Sequence, residues 1–259
     1  MMEITKLTAF IFSPTGTTAA VAKPLAGALV PGARIVDLTC ADAEEERFGP
    51  DELVLFAAPV YGGRIPAPAA ERFARLKGEG TPALLVAVYG NRDYDDALLE
   101  LCDIAGENGF RPAGAGAFLA EHSIFHSVAR GRPDAADLEA VRTFAAQVRE
   151  KLSRAEGPEA FGPLSVKGNR PYREFSGVPL KPQADKKCVK CGVCAKNCPA
   201  GAILSDNPAR TDNSLCISCM RCVKVCPAGA RRVNGLMLSV AEKPFAKKFG
   251  ARREPEWFL

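Results

Sequence analysis

The sequence predicts an α/β protein, a parallel sheet wrapped by helices, followed by a smaller α+β domain. Three observations predict it. From residue 3 to about 152, short apolar runs alternate with helical patterns, as parallel strands joined by crossover helices require. Eight of the ten cysteines fall between Cys188 and Cys226. Between these regions, residues 153–184 hold four glycines and five prolines without sustained apolar periodicity, which is the composition of an extended connector. The expected division is therefore 1–152 for the first domain, 153–184 for the linker, 185–235 for the second domain and 236–259 for a C-terminal helix and tail.

Five strands are expected in the first domain, at about Ile4–Phe12, Arg34–Leu38, Leu53–Val60, Ala83–Tyr89 and Arg111–Leu119. The central ones are apolar on both faces, as strands buried between two helical layers must be. The last helix is the plainest. Leu138, Val141, Ala145, Val148 and Leu152 share one face, and Asp134 follows Pro133 as a candidate N-cap. In a doubly wound sheet of order 2-1-3-4-5, strands one, three and four present neighbouring carboxyl ends at the topological switch point, where ligands bind.

Composition closes off several function classes. With 34 basic and 30 acidic residues the formal charge is only +4, far from the excess that phosphate-backbone binding needs, so nucleic acid is not an expected partner. No segment reaches the roughly 18 apolar residues of a membrane span, and the N-terminus lacks the pattern of an export signal. A cytoplasmic protein is expected, and in a reducing compartment a dense cysteine cluster binds metal rather than forming disulfides.

The cysteines form a duplication: CVKCGVCAKNCPAGA at Cys188 recurs as CISCMRCVKVCPAGA at Cys216, displaced by 28 residues. Each copy reads Cys-x2-Cys-x2-Cys-x3-Cys-Pro, in which a tight loop supplies three thiolates to one 4Fe-4S cluster and the fourth is aimed at another. One cluster is expected on Cys188, Cys191, Cys194 and Cys226, the other on Cys216, Cys219, Cys222 and Cys198. Structural zinc also uses Cys-x2-Cys, but in two separated pairs rather than four cysteines in immediate succession. The segment at about 185–235 resembles bacterial-type two-cluster ferredoxins.

Strand one runs into Ser13-Pro14-Thr15-Gly16-Thr17-Thr18 at a helix start. By itself such a turn is a helix cap or a phosphate cradle. It contains neither Gly-x4-Gly-Lys-Ser/Thr nor Gly-x-Gly-x-x-Gly, so the phosphate of a mononucleotide is favoured over a nucleoside triphosphate or a dinucleotide. The third strand ends in Pro59-Val60-Tyr61-Gly62-Gly63-Arg64, and the fourth in Tyr89-Gly90-Asn91-Arg92-Asp93-Tyr94; one ligand can touch all three loops.

SPTGTT, PVYGGRIP and YGNRDYDDAL resemble the phosphate loop and the two ring-flanking loops of flavodoxins, specifically of flavodoxin-ferredoxin fusion proteins, over nearly the whole chain. The resemblance implies a flavodoxin-like sheet that binds FMN. Ser13, Thr15, Gly16, Thr17 and Thr18 would hold its phosphate; Pro59, Val60, Tyr61, Gly62, Gly63 and Arg64, with Tyr89, Gly90, Asn91, Arg92 and Tyr94, would flank its ring. Tyr61 and Tyr94 are candidates for ring stacking or ordinary loop aromatics. Arg64 and Arg92 place cations where many flavodoxins carry acids; either reaches the ring or serves another contact.

His122 is a weak candidate catalytic residue, at the end of the fifth, edge strand, and His126 a weaker one. Cys40 and Cys102 read as packing residues. The expected function is an oxidoreductase passing electrons between two 4Fe-4S clusters and FMN, with a ferredoxin or a reductase as redox partner and a small-molecule electron acceptor. The alternative is a carrier between other enzymes with no substrate of its own, and an enclosed, substrate-sized cavity separates the two.

Overall fold

The structure, a computed structural model, describes residues 4–41, 44–175 and 177–259. Its sheet contains β1 (Lys6–Ile11), β2 (Arg34–Asp37), β3 (Glu52–Pro59), β4 (Thr81–Tyr89) and β5 (Phe110–Leu119), all parallel, in the order β2-β1-β3-β4-β5. This is the flavodoxin-like order expected from sequence. A sixth strand, β6 (Glu256–Phe258), pairs antiparallel with β5, with Trp257 opposite Gly116. The fifth strand is therefore not the edge. Three residues at the end of a basic, aromatic tail carry too short a pattern to announce a strand.

Alternation along the strands sends side chains to two cores. Ile11, Leu55 and Val86 pack on one face with Val21 and Leu25 of α1 (Thr17–Leu29) and with Phe144 and Val148 of α4 (Ala135–Arg154). Phe10, Phe56 and Leu85 pack on the other with Phe73 of α2 (Ala67–Phe73) and Leu98 and Leu101 of α3 (Ala97–Glu107). α4 begins where Asp134 predicts. The Asp134 carboxylate accepts from the Ala136 and Asp137 amides at 3.0 and 3.1 Å, and Asp137 accepts from the Asp134 amide at 2.8 Å, a closed capping box.

Packing on the first core continues past Leu152 to the buried Ala155 and Phe161. Beyond it the connector is extended but not slack. Asp96 accepts from the Asn169 and Arg173 amides at 2.8 and 2.7 Å, and Asp93 pairs with Lys167 at 2.8 Å. Carboxylates near the start of α3 thus hold the segment against the sheet domain.

In the cysteine-rich part, α5 (Val193–Lys196) and α6 (Arg221–Val225) are single turns related by the duplication. The repeats match atom for atom in places. Lys190 and Ser218 take φ of 54° and 55°, and the Cys198 and Cys226 sulfurs each accept a backbone N–H, from Ala202 and Ala230, at 3.3 Å. α7 (Gly235–Phe249), capped by Asn234, returns across the sheet domain. Its Leu238, Ala241 and Phe245 join Phe125, Val128 and Leu180 in a small third core. Among the described residues no helix is long and apolar enough to cross a membrane.

Candidate functional site

The carboxyl ends of β1, β3 and β4 open into a cavity of about 510 Å³. Its floor is made of sheet loops: Thr15 and Thr17, Pro59 to Gly63, and Tyr89, Gly90 and Arg92. Its roof comes from elsewhere in the chain. Phe175 and Val178 to Leu180 of the connector, Met237, Val240, Ala241 and Phe245 of α7, and Ile217 and Ser218 of the second cysteine repeat close over it. Apolar and partly roofed over, it is built as small-molecule sites are.

At one end lies the start of α1. Gly16 takes φ 93° as the residue before the helix, the Ser13 hydroxyl accepts from the Ala19 amide at 3.0 Å, and the Thr15 and Thr17 hydroxyls are 3.3 Å apart. Thr18 is 1% exposed, and its hydroxyl finds no partner among the described residues. A buried, unpaired hydroxyl costs free energy unless something absent from the chain bonds it. It belongs to the helix start where N–H groups attract an anion and whose Thr15 and Thr17 line the cavity, while Ser13, Gly16 and Thr18 do not, so the loop fits a phosphate.

The Tyr61–Arg64 turn is closed by backbone bonds in both directions, at 2.9 and 3.2 Å, with Gly62 and Gly63 at φ 62° and 88°, the pair of left-handed residues that a type I′ turn demands. A Cβ on Gly62 would stand 2.1 Å from the Phe175 ring, and one on Gly63 2.1 Å from Asp95. Glycine is thus required twice, by conformation and by contact. Burial, and after it the Cys219 sulfur, raise the Tyr61 phenol well above its ordinary value, so Tyr61 is a neutral cavity wall close to the second repeat.

The predicted ring-flanking residues separate into two groups. Pro59, Val60, Tyr61, Gly62, Gly63, Tyr89, Gly90 and Arg92 line the cavity; Arg64, Asn91 and Tyr94 do not. Arg64 makes a two-pronged bond to Glu100 at 2.8 and 2.7 Å and stacks over Tyr172. Tyr94 is buried in the core, donating to Glu256 at 2.7 Å beside β6. Asn91 donates to the Phe249 and Ala251 carbonyls at 2.6 and 2.7 Å, fastening the end of α7 to the β4 loop. Of the two arginines, only Arg92 keeps its place at the cavity, paired with Asp95.

His122 also lines the cavity. Its Nδ1 accepts the Ile124 and Phe125 amides at 3.1 and 3.0 Å, and its ring packs against Phe125 and Phe245, which also touch each other. Burial, helped by His126 and Arg92 and opposed by Glu242, lowers its pKa to about 4. The ring is therefore neutral at pH 7 with its proton on Nε2, a fixed donor rather than a proton shuttle. His126 is exposed and pairs with Glu121 at 2.7 Å. Cys102 is buried, as expected. Cys40 is exposed, its thiol donating to the Asn197 carbonyl at 3.3 Å, so it bridges the two parts of the chain instead of filling a core.

The eight repeat cysteines fall into two sets. Cys188, Cys191, Cys194 and Cys226 ring one small void; Cys198, Cys216, Cys219 and Cys222 ring another. Among the described residues no three His, Cys, Asp or Glu side chains converge tightly enough to grip a single metal ion. Each void is a cage ringed by four sulfurs. Burial pushes the Cys219 and Cys222 thiols up to about 12, so these sulfurs become thiolates only if metal supplies the charge. Ile217 lines both the second cage and the cavity.

Residues 183–231 match the family described as a 4Fe-4S dicluster domain. The expected iron–sulfur chemistry is thereby placed on this segment. A comparison with curated proteins finds no match. Similar solved structures include a flavodoxin from the domain Archaea, 14% identical, covering 57% of this chain and 99% of that one at a TM-score of 0.40. Another is the flavodoxin of Streptococcus pneumonia TIGR4, 19% identical, with coverages of 56% and 99% and a TM-score of 0.40. A third is an NADH:FMN oxidoreductase in its apo form, 16% identical, with coverages of 59% and 92% and a TM-score of 0.41.

Sequence reading missed the roof. Phe175 is one of three aromatics, with Phe161 and Tyr172, in a polar connector, and Ile217-Ser218 replaces Val189-Lys190 of the first repeat. The loss of a lysine between two ligand cysteines was a readable sign that this copy faces protein rather than water.

Proposed function

We propose that the chain is an electron-transfer iron–sulfur flavoprotein, with FMN in the cavity and one 4Fe-4S cluster in each cysteine cage, that reduces a small acceptor at the flavin. When bound, FMN exchanges one electron with a metal centre or two with an organic molecule, whereas a 4Fe-4S cluster exchanges one. The residues supply position. The Ser13–Thr18 loop and the start of α1 receive the phosphate, with the Thr18 hydroxyl as one donor. Gly62, Gly63 and Gly90 admit the ring edge against backbone. His122 offers a fixed N–H. Cys188, Cys191, Cys194 and Cys226 hold one cluster, and Cys198, Cys216, Cys219 and Cys222 the other.

The observation that carries the reading is the shared wall: Ile217, one residue after a cage cysteine, lines the flavin cavity as well. Two bonds hold that alignment. Arg221 donates to the Pro14 carbonyl of the phosphate loop at 3.2 Å, and Arg72 donates to the Pro199 carbonyl at 3.0 Å. The roof of α7 and connector favours an oxidoreductase over a bare carrier, which needs an exposed flavin edge and no enclosure. Anaerobic purification with flavin, iron and sulfide analysis tests the assignment. One flavin and about eight irons per chain are expected from two four-iron clusters; a preparation lacking either yellow chromophore or sulfide overturns it.

A further inference from the structure

The two cysteine repeats face in opposite directions, and the outward one has the character of a docking surface. In the first, Val189 is 71% exposed, and Lys190 and the ligand Cys191 are exposed with it. In the second, the matching Ile217 and Ser218 turn to the cavity, and Cys219 is buried. The bonds that bind this segment to the sheet domain, from Arg221, Arg72 and Cys40, all gather on the side of the second cage. Of the four cysteines around the first cage, Cys191 is left exposed.

Its surroundings are basic. Residues 183–231 carry eight basic and three acidic side chains, a formal excess of five against +4 for the whole chain. Two explanations internal to the chain account for little of this. Arg231, buried beside the first cage and close enough to act on Cys222, is the counter-charge for the clusters themselves. Asp185, the nearest carboxylate in sequence to Lys186 and Lys187, is taken by Arg232. Among the described residues Lys186, Lys187 and Lys190 are exposed and meet no carboxylate. An exposed apolar residue flanked in sequence by exposed cations, two residues from the most exposed cluster ligand, is how a small, transient, charge-steered interface is built.

We propose that the surface formed by Lys186, Lys187, Val189, Lys190 and Cys191 docks an acidic one-electron carrier protein of the iron–sulfur class. One electron leaves the carrier's reduced cluster and is accepted by the centre behind Cys191, with no bond made or broken and no proton moved. The inference rests on the cluster assignment above, and iron analysis of the same preparation separates the two: protein without iron refutes the assignment, whereas iron-replete protein that binds no carrier refutes only the docking surface.

The test is calorimetric titration of the holoprotein with an acidic two-cluster ferredoxin, from low to high ionic strength. Binding that weakens steeply with salt is expected. In a variant carrying Lys186→Glu, Lys187→Glu and Lys190→Glu it should weaken by about tenfold or more, with iron and flavin content unchanged. Arg142→Glu, on α4 and away from cavity and cages, should bind as the unaltered protein does. Affinity indifferent to salt, an equal loss in Arg142→Glu, or self-association of the chain as the only event abolished by the lysine changes would each overturn the proposal. If the triple variant loses iron, the salt dependence of the unaltered protein and Lys190→Gln alone, with an expected loss of a few fold, decide it.

Discussion

Lys190 and Ser218 occupy one position in a duplicated sequence, share φ within a degree, and live in different environments. Lys190 is in water at φ 54°, whereas Ser218 is 5% exposed at φ 55° with a hydroxyl that finds no partner among the described residues. The spacing of the cysteines fixes the cage in both copies, because ligand geometry leaves little choice. What differs is the pair of residues between the first two cysteines, Val-Lys against Ile-Ser, and with them the side of the domain that packs. The lesson is that a duplicated binding motif can be differentiated without touching its ligands: one copy becomes an outward face, the other a wall of the neighbouring site.

The largest effect that could break this comparison comes from removing one ligand on each side. Cys191→Ser should cost the outer cluster, about half of the iron, while flavin content holds, because no residue of that cage lines the cavity. Cys219→Ser should cost the inner cluster and loosen flavin too, since the loop carrying it forms part of the roof. Iron, sulfide and flavin analysis of the two purified proteins checks this. Equal flavin loss in both would mean that the copies are equivalent after all.

An exchange of the differing residues comes next. Ser218→Lys puts an ammonium where burial is nearly complete, a cost of several kcal/mol unless the loop moves. Flavin binding should fall by at least about tenfold. Lys190→Ser should leave iron, flavin and stability within about 0.5 kcal/mol of the unaltered protein, as exposed substitutions do. Fluorescence titration of FMN, whose emission changes on binding, and thermal melts read both variants.

How much of this was legible follows the same line. The five parallel strands, the capped last helix and both cage sets could be read because each rests on a local rule: apolar runs buried on both faces, Asp134 with Asp137 at the cap, and cysteine spacing. The tail strand and the roof could not. They depend on chain folding back over more than a hundred residues, as when Trp257 pairs with Gly116 or Phe175 lands on Gly62. Arg64 and Tyr94 mark the same limit: each belongs to a loop expected to flank the ring, yet distant partners, Glu256 for Tyr94 and Glu100 for Arg64, draw their polar ends away from the cavity.

Thr18 sharpens the comparison from the sheet side, because its change should affect flavin and spare both cages. Thr18→Val keeps the shape and removes the unpaired hydroxyl. The flavin-free protein should gain about 1 kcal/mol, since a buried polar group without a partner is replaced by methyl. FMN affinity should meanwhile fall about tenfold, the scale of one hydrogen bond to a charged group. Opposite signs in the two measurements are the signature of a hydroxyl kept for a ligand; a loss of stability in the flavin-free form would mean that it serves the fold instead.

A pH-dependent effect, on the cavity side alone, concerns His122. Its pKa of about 4 lies below the ordinary 6.5, so the unfolded chain takes up the proton first as pH falls. The stability owed to the neutral, buried ring is complete above about pH 6.5 and is lost as pH drops toward 4, roughly 2 kcal/mol of it between pH 7 and pH 5. Because Nδ1 accepts two amides, His122→Asn preserves an acceptor at that place while removing the titration. The difference in melting temperature between the two proteins should therefore shrink across that interval, while the iron–sulfur absorbance, which belongs to cages built without His122, follows pH identically in both. A difference that stays constant from pH 7 to pH 5 would show that the ring is not held neutral by burial, and the assignment of its proton to Nε2 would go with it.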